Sequence, residues 1–259
     1  MKTIAICNLK GGVAKTTTVV NLAADLARDS GARVLVIDAD SQCNATEFLG
    51  GGREGHSLAT LLAMPKAERT AFSLSIESAQ AISCSSFPAV DLLPAEDSLM
   101  DLDLSKAEDG SAWTACLREL LPTLRKTYDY ALIDCPPAFN AAAAAALLAA
   151  DEVLIPIKLD AFSLRGLANI TRQISNMRKI NASLRVAGIL PVMWYESEDN
   201  RKAMRQLQQS GLPLLPRIRR STMVDAMTYR QEPLIISSPK SGACKDYRAL
   251  ARRIAEGRY

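Results

Sequence analysis

Lys10-Gly11-Gly12-Val13-Ala14-Lys15-Thr16-Thr17 is the stretch that decides the fold of this chain. Before it stands Thr3-Ile4-Ala5-Ile6-Cys7, an apolar run that reads as a buried parallel strand. After it, Val19, Leu22, Ala23, Leu26 and Ala27 recur at three and four, which predicts a helix with one apolar face. Strand, glycine-bearing loop, and helix with Lys-Thr in its first turn form the context that a phosphate-binding loop requires. The loop's N–H groups and the helix's unpartnered first amides converge on one volume, where their partial positive charge can hold a polyphosphate. Lys15 adds a point charge for the terminal phosphates, and Thr16 offers a hydroxyl to Mg²⁺.

Two further apolar runs end in carboxylates. Arg33–Asp38 predicts a second strand, followed by Ala39, Asp40, Ser41 and Gln42. Carboxylates at the C-terminal end of a parallel strand lie at the crevice where open α/β sheets bind ligands. Tyr128–Asp134 predicts another strand and leads into Cys135-Pro136-Pro137, the form of a Walker B element, with Asp134 supporting the metal opposite Thr16.

The rest of the chain alternates helix with strand. The patterning predicts a short helix at Leu58, Leu61 and Leu62, a weak strand around 80–84, and a strand at Val90–Leu93 stopped by Pro94. A helix over about 111–126 carries a break at Pro122, and an Ala-rich helix covers about 138–150. Then come a strand at Val153–Ile157, a helix capped by Ser163 and running to about Lys179, and a strand at Val186–Val192. A basic helix at Asp199–Gln209 precedes a short edge strand, Leu212–Arg217, with Pro213 and Pro216. A helix over 221–229, a loop with Pro233 and Pro239, and a helix over about 242–256 complete the chain. Residues 50–56, with the single His56, read as a flexible link, 66–88 as weakly patterned, and 101–110 as an acidic loop or frayed helix. The alternation predicts one doubly wound α/β domain with a mainly parallel sheet flanked by helices, spanning 1–259. Its nucleotide-binding core covers about 1–200, and a basic part covers about 201–259.

Composition agrees with a globular chain: 259 residues, 48% hydrophobic and 23% charged. No stretch is long and apolar enough to span a membrane, and the chain enters its first strand with no secretory signal. The six cysteines have no C-x-x-C pair and read as small buried hydrophobes of a reducing cytoplasm. With one histidine, a His-rich metal site is not expected. Charge is uneven. From Arg201 onward there are thirteen Lys/Arg against four Asp/Glu, while residues 1–200 hold eighteen against twenty-four. A basic surface on the C-terminal part suits nucleic acid, although a solvated helical face gives the same count.

The loop departs from G-x-x-x-x-G-K-[ST], with Leu9 in place of the first Gly and an additional Lys10 before Gly11-Gly12. This form resembles the deviant Walker A loop of the ParA/MinD family of ATPases. The likeness extends through Asp38–Thr46, Ile133–Pro137, Ile155-Pro156-Ile157, Ser163–Leu167 and Asp246-Tyr247. It implies that Lys10 is the signature lysine, reaching across a two-fold interface to the partner subunit's ATP, so that dimerisation becomes ATP-dependent. Gly11, Gly12, Val13, Ala14, Lys15, Thr16 and Thr17 would bind ATP. Asp38 and Asp134 would support Mg²⁺ with Thr16, and Asp40 would orient the attacking water. Met193 and Pro216 align with the region around the adenine, and Arg201, Arg219 and Arg220 with DNA-binding positions.

Three departures matter. Ala14 replaces the family's usual Gly before Lys15, which costs about 1–2 kcal/mol if that position needs φ > 0. Ser41 and Cys43 replace the usual Pro and Gly beside Asp40. No helix-turn-helix segment precedes the loop, as in the short, Soj-like members. The resemblance implies a slow DNA-partitioning ATPase, cytoplasmic and nucleoid-associated. It would act as an ATP-dependent homodimer on nonspecific double-stranded DNA, with a ParB-like partner stimulating hydrolysis. Alternatives are a family ATPase positioning another cargo, a MinD-like membrane ATPase, and an iron-protein-like reductase. The membrane form is disfavoured by the few bulky apolar residues after Asp246, and the reductase by the lack of matching cluster cysteines.

Overall fold

Apolar runs too uniform for a one-sided sheet form strands covered on both faces. The computed structural model describes residues 1–51, 57–64, 68, 83–84, 87–101, 110–160 and 163–258. The link at 52–56 with His56, most of the weakly patterned 66–88 stretch, and the acidic segment at 102–109 lie outside the described residues.

Seven strands make one sheet: β1 (Lys2–Ile6), β2 (Val34–Asp38), β3 (Ser83–Cys84), β4 (Val90–Leu93), β5 (Tyr130–Asp134), β6 (Glu152–Lys158) and β7 (Arg185–Val192). Their order is β3-β4-β2-β5-β1-β6-β7, parallel throughout except that β3 pairs antiparallel with β4. The helices are α1 (Lys15–Ser30), α2 (Asn44–Phe48), α3 (Leu58–Ala63), α4 (Gly110–Leu120), α5 (Ala141–Ala149), α6 (Ser163–Met177), α7 (Glu198–Gln208), α8 (Thr222–Arg230), α9 (Leu234–Ser237) and α10 (Gly242–Ala255). Alternate strand residues enter two cores. Ala5, Leu35, Ile37, Ala131 and Ile133 face the core containing α3 to α6. Ile4, Ile6, Val34, Val36 and Leu132 face the core containing α1 and α10.

Several expectations shift. The predicted 111–126 helix ends at Leu120 and tightens into a 3₁₀ segment, Leu121–Lys126, with Pro122 in its first turn, where a missing N–H is tolerated. Ser163 is the first residue of α6, not a residue ahead of it. The expected loop through Pro233 contains the short helix α9. Leu212–Arg217 is not a continuous strand. It touches β7 through an isolated bridge at Leu214 to Ile189, and a second bridge joins Arg219 to Trp194. Pro213 and Pro216 have no N–H to give, so a ladder cannot propagate. Gly188 permits this close approach, because a Cβ there would lie 2.7 Å from Leu215 Cγ.

The C-terminal part docks on α1. Tyr247, Leu250 and Ile254 of α10 are fully buried against it. Around them Thr18 Oγ1 lies 3.3 Å from the Tyr247 hydroxyl, and Arg248 clasps Asp29 with two nitrogens at 3.0 and 3.1 Å. Within this interface Asp25 is buried, and its Oδ1 has no hydrogen-bond partner. Burial, then the charge of Asp29, push its carboxyl up to about 7, against the pull of Arg248, Arg28 and Arg252, with the Cys244 thiol also near. The folded state therefore holds this proton more tightly than the unfolded chain does. Stability should fall as pH rises from about 4 to about 7, because folding then requires proton uptake. Asp25→Asn should flatten that decline and raise the melting temperature at pH 7.5. Thermal melts at pH 5 and pH 7.5 check this, and a steeper decline in the variant would contradict it.

Candidate functional site

The C-terminal edge of the sheet carries the chemistry. β5 lies between β1 and β2, so Asp134 pairs in register with both Asp38 and Ile6, the last residue of β1 before the loop. Asp38 and Asp134 are fully buried side by side. Asp38 is well bonded: Oδ1 accepts from Asp40 N at 3.1 Å, and Oδ2 accepts from Thr46 N and Oγ1, each at 2.8 Å. Burial still pushes its carboxyl up to about 6, against these hydrogen bonds. Asp134 is pushed well above the carboxylate range by burial and by the adjacent Asp38. The Thr16 hydroxyl and Lys15 pull it down, but neither Asp134 oxygen has a partner in full hydrogen-bond geometry. Two buried carboxylates, one orphaned, next to a threonine hydroxyl make a donor set that a hard divalent cation fits.

The loop above them is built to leave amides open. Gly12 takes φ +68, and Ala14 stands at φ 58, ψ 36 as the N-cap of α1, with no side-chain cap bond. Asn140, Ser197, Ser221 and Ser241 cap α5, α7, α8 and α10 with side-chain oxygens. The first amides of α1 thus remain directed at the cleft, where an anion satisfies them. Lys15 is buried, and its Nζ donates to the Lys10 carbonyl at 3.2 Å. Ala14 occupies the left-handed conformation that its alanine disfavours, so the strained alternative read from the sequence is the one realised.

Gly11, Gly12, Val13, Ala14, Lys15, Thr16 and Thr17 line a cleft of about 490 Å³ together with Asp40, Gln42, Asn44 and Met193. Asp40 is buried at its wall, and its Oδ1 accepts from Gln42 N at 3.1 Å. Cys43 stands at φ 54 as the N-cap of α2, a second non-glycine residue in left-handed backbone beside the site. Burial and the nearby acids push its thiol up to about 11. Met193, at φ 53, also lines a smaller adjoining cavity with Ile218, Arg219, Arg220 and Tyr247.

The structure leaves some expected residues apart. Pro216 is exposed and lines neither cavity, because the 212–216 segment is drawn onto β7. Arg201 is exposed on α7 with Glu196 at 3.3 Å. Arg219 is clasped by Asp246 at 2.7 and 2.8 Å, and Gly242 leaves room for its side chain. That arginine ties the start of α10 to the segment beside β7. Arg220 is exposed next to it. Sequence reasoning missed Asn8, which accepts from Lys10 N and donates to the β6 carbonyl of Pro156 at 2.7 Å. It also missed Asp160, which pairs with Lys10. Each stands two residues after the end of a strand, but no local pattern points to their partners.

An uncapped helix behind a glycine loop, facing paired carboxylates at a parallel sheet's edge, defines a P-loop nucleotide-hydrolase fold. Residues 1–186 match a family model described as an AAA domain. The chain is 36% identical over 201 residues to the chromosome partitioning protein ParA of Caulobacter vibrioides, covering 75% of this chain and 70% of that one. It is 30% identical over 258 residues to a ParA family protein of Chlamydia muridarum, covering 98% and 97%. Among solved structures it resembles a Cyanothece McdA variant in complex with ATP (TM-score 0.83, 26% identity, covering 100% and 97%). It also resembles a Mycobacterium smegmatis cobyrinic acid a,c-diamide synthase with a bound ATP analogue and magnesium (TM-score 0.79, 27% identity, covering 100% and 97%). The chain belongs to the ParA/MinD family of ATPases.

The left-handed Ala14 generates a direct test. Relief of about 1–2 kcal/mol of backbone strain outweighs the extra unfolded-state entropy of glycine, about 0.4–1 kcal/mol. Ala14→Gly should therefore stabilise the protein by roughly 0.5–1 kcal/mol in urea unfolding. A loss of stability would show that Ala14 does not hold this conformation in solution.

Proposed function

We propose that this protein is a DNA-partitioning ATPase. The observation that carries the reading is the convergence of Lys15, Thr16, Asp38, Asp40 and Asp134 around one open helix N-terminus, with Lys10 just ahead of the loop's glycines. ATP lies along the loop, with its phosphates on the first amides of α1 and on Lys15, which leaves the Lys10 carbonyl to meet them. Thr16, Asp38 and Asp134 would hold Mg²⁺, the ion crystallised with an ATP analogue in the M. smegmatis relative, and the ion would supply charge neutralisation at the phosphates. Asp40, anchored by its own amide to Asp38, orients the attacking water. Lys10 completes the site of a second copy, so the active species is an ATP-dependent homodimer with slow turnover.

DNA is held nonspecifically by the basic C-terminal part. Arg201, Lys202 and Arg205 lie exposed on α7, and Arg220 lies exposed beyond β7. Arg219 contributes by shaping that surface through Asp246. A ParB-like partner stimulates hydrolysis and release, and the protein resides on the nucleoid. The identity with ParA of C. vibrioides supports this reading. The burial of Tyr247, Leu250 and Ile254 against α1 supports it over a MinD-like membrane form, because α10 has no such face left for lipid. Among the described residues no helix is long and apolar enough to cross a membrane. A variant of the reading keeps the same ATPase and lets the partner select another cargo.

Mobility-shift assays with ATP, ADP and no nucleotide at two salt concentrations test the proposal. DNA retention should require ATP and weaken steeply with salt, since each phosphate contact releases counterions. ATP-loaded protein without salt-sensitive retention would refute DNA binding. Lys15→Ala should abolish nucleotide binding in calorimetry, whereas Asp40→Ala should keep ATP and DNA binding and lose turnover. Equal loss of binding in both would remove Asp40 from its role. Asp134→Asn removes a buried, unpartnered carboxylate, so without nucleotide the variant should melt no lower than the parent. Added Mg²⁺ should then no longer increase the stabilisation it gains from ATP, and an undiminished magnesium effect would place the ion elsewhere.

A further inference from the structure

Lys10 is tied at three points within its own chain. Its amide donates to Asn8 Oδ1 at 3.1 Å, its carbonyl accepts from Lys15 Nζ at 3.2 Å, and its Nζ pairs with Asp160 Oδ2. Asn8 in turn donates to the Pro156 carbonyl of β6, the strand that delivers Asp160 two residues after its end. The arrangement follows from the sheet order. β6 is the neighbour of β1 on the side away from β5, so the loop after β1 runs beside the C-terminal end of β6. The metal-supporting carboxylates stand on the other side of the loop, at β2 and β5.

We propose that Asp160 is a positioning residue that holds the Lys10 ammonium inside its own chain and thereby sets the threshold for assembly of two chains. The inference rests on the sandwich-dimer reading above. One ammonium cannot lie on its own chain's carboxylate and on a partner's phosphates together. Assembly must therefore break this ion pair once in each copy. A polyphosphate carries more negative charge than one carboxylate, so ATP across the interface outcompetes Asp160, while ADP, with fewer charges, competes less well. The pair is about one-third exposed at each side chain, 35% and 31%, which keeps it weak enough to exchange.

A purely structural tether between the loop and β6 would act with the opposite sign. Losing a tether disorders the loop and weakens assembly, whereas losing a holding contact frees the lysine and strengthens it. For an ion pair of this exposure the effect is about threefold per lysine. It multiplies over the two copies to roughly tenfold in the dimer dissociation constant.

Asp160→Asn keeps the shape and removes the charge, and Asp160→Glu keeps the charge. Two measurements apply. Competitive acetylation of nucleotide-free protein, read by mass spectrometry, reports how well the Lys10 amine is shielded relative to the other lysines. Sedimentation velocity with ATP and with ADP reports the dimer. Asp160→Asn should acetylate at Lys10 about threefold faster and dimerise with ATP at about tenfold lower protein concentration, with Asp160→Glu close to the parent in both. Unchanged acetylation in Asp160→Asn overturns the contact. Faster acetylation with unchanged or weaker dimerisation overturns its role in assembly. If the parent forms no dimer with ATP at any concentration, the sandwich reading itself fails, and the acetylation arm still decides whether Asp160 holds the lysine.

Discussion

The insertion of β5 between β1 and β2 is the constraint on which the site depends. The chain leaves a slot when it crosses from β1 to β2, goes outward to β4, and returns to fill the slot with β5. Backbone pairing then sets Asp38 and Asp134 opposite each other and both beside the loop after β1. Buried beside Asp38, the Asp134 carboxylate binds a proton more tightly, and the pair favours a cation. The residues between them and the loop are apolar and buried on both faces, so the sheet has no freedom to part them.

Backbone strain collects around this point. Five non-glycine residues have positive φ among the described residues: Ala14, Cys43, Ala89, Met193 and Gln231. Ala14, Met193 and Gln231 line the main cleft, and Cys43 lies between two residues that do, so the strain is concentrated around that cleft. What holds Ala14 left-handed is the packing of α1, whose Val19, Leu22 and Leu26 are fully buried against the sheet. The helix fixes its own first turn from behind.

The C-terminal part is secured to that same helix. Asn21 of α1 accepts from Leu234 N and donates to the Thr17 carbonyl, Arg28 donates to the Ile235 carbonyl, and Tyr247 meets Thr18. Asp246, next to Tyr247, clasps Arg219 at the wall of the second cavity. A displacement at Thr17 or Thr18 therefore has a continuous path of packed and hydrogen-bonded groups to the segment that bears the basic side chains.

The sequence by itself determined the strand–loop–helix at 3–27, the carboxylates closing two buried strands, and the alternation that makes a doubly wound sheet. These features are local: periodicity, glycine placement and a charged residue at the end of an apolar run are written within a dozen residues. It also shows where Ala14 and Cys43 depart from the family's glycine, but whether Ala14 needs positive φ is not written locally, since φ is set by what packs behind the loop. Only the tertiary structure decided that Ala14 is strained, that Arg219 is bound to Asp246, that Pro216 lies outside the cleft, and that Lys10 rests on Asp160. The two pairings among these, Arg219 with Asp246 and Lys10 with Asp160, join residues 27 and 150 positions apart in the chain. No local pattern encodes such a pairing, which exists only once the order of the strands has been chosen.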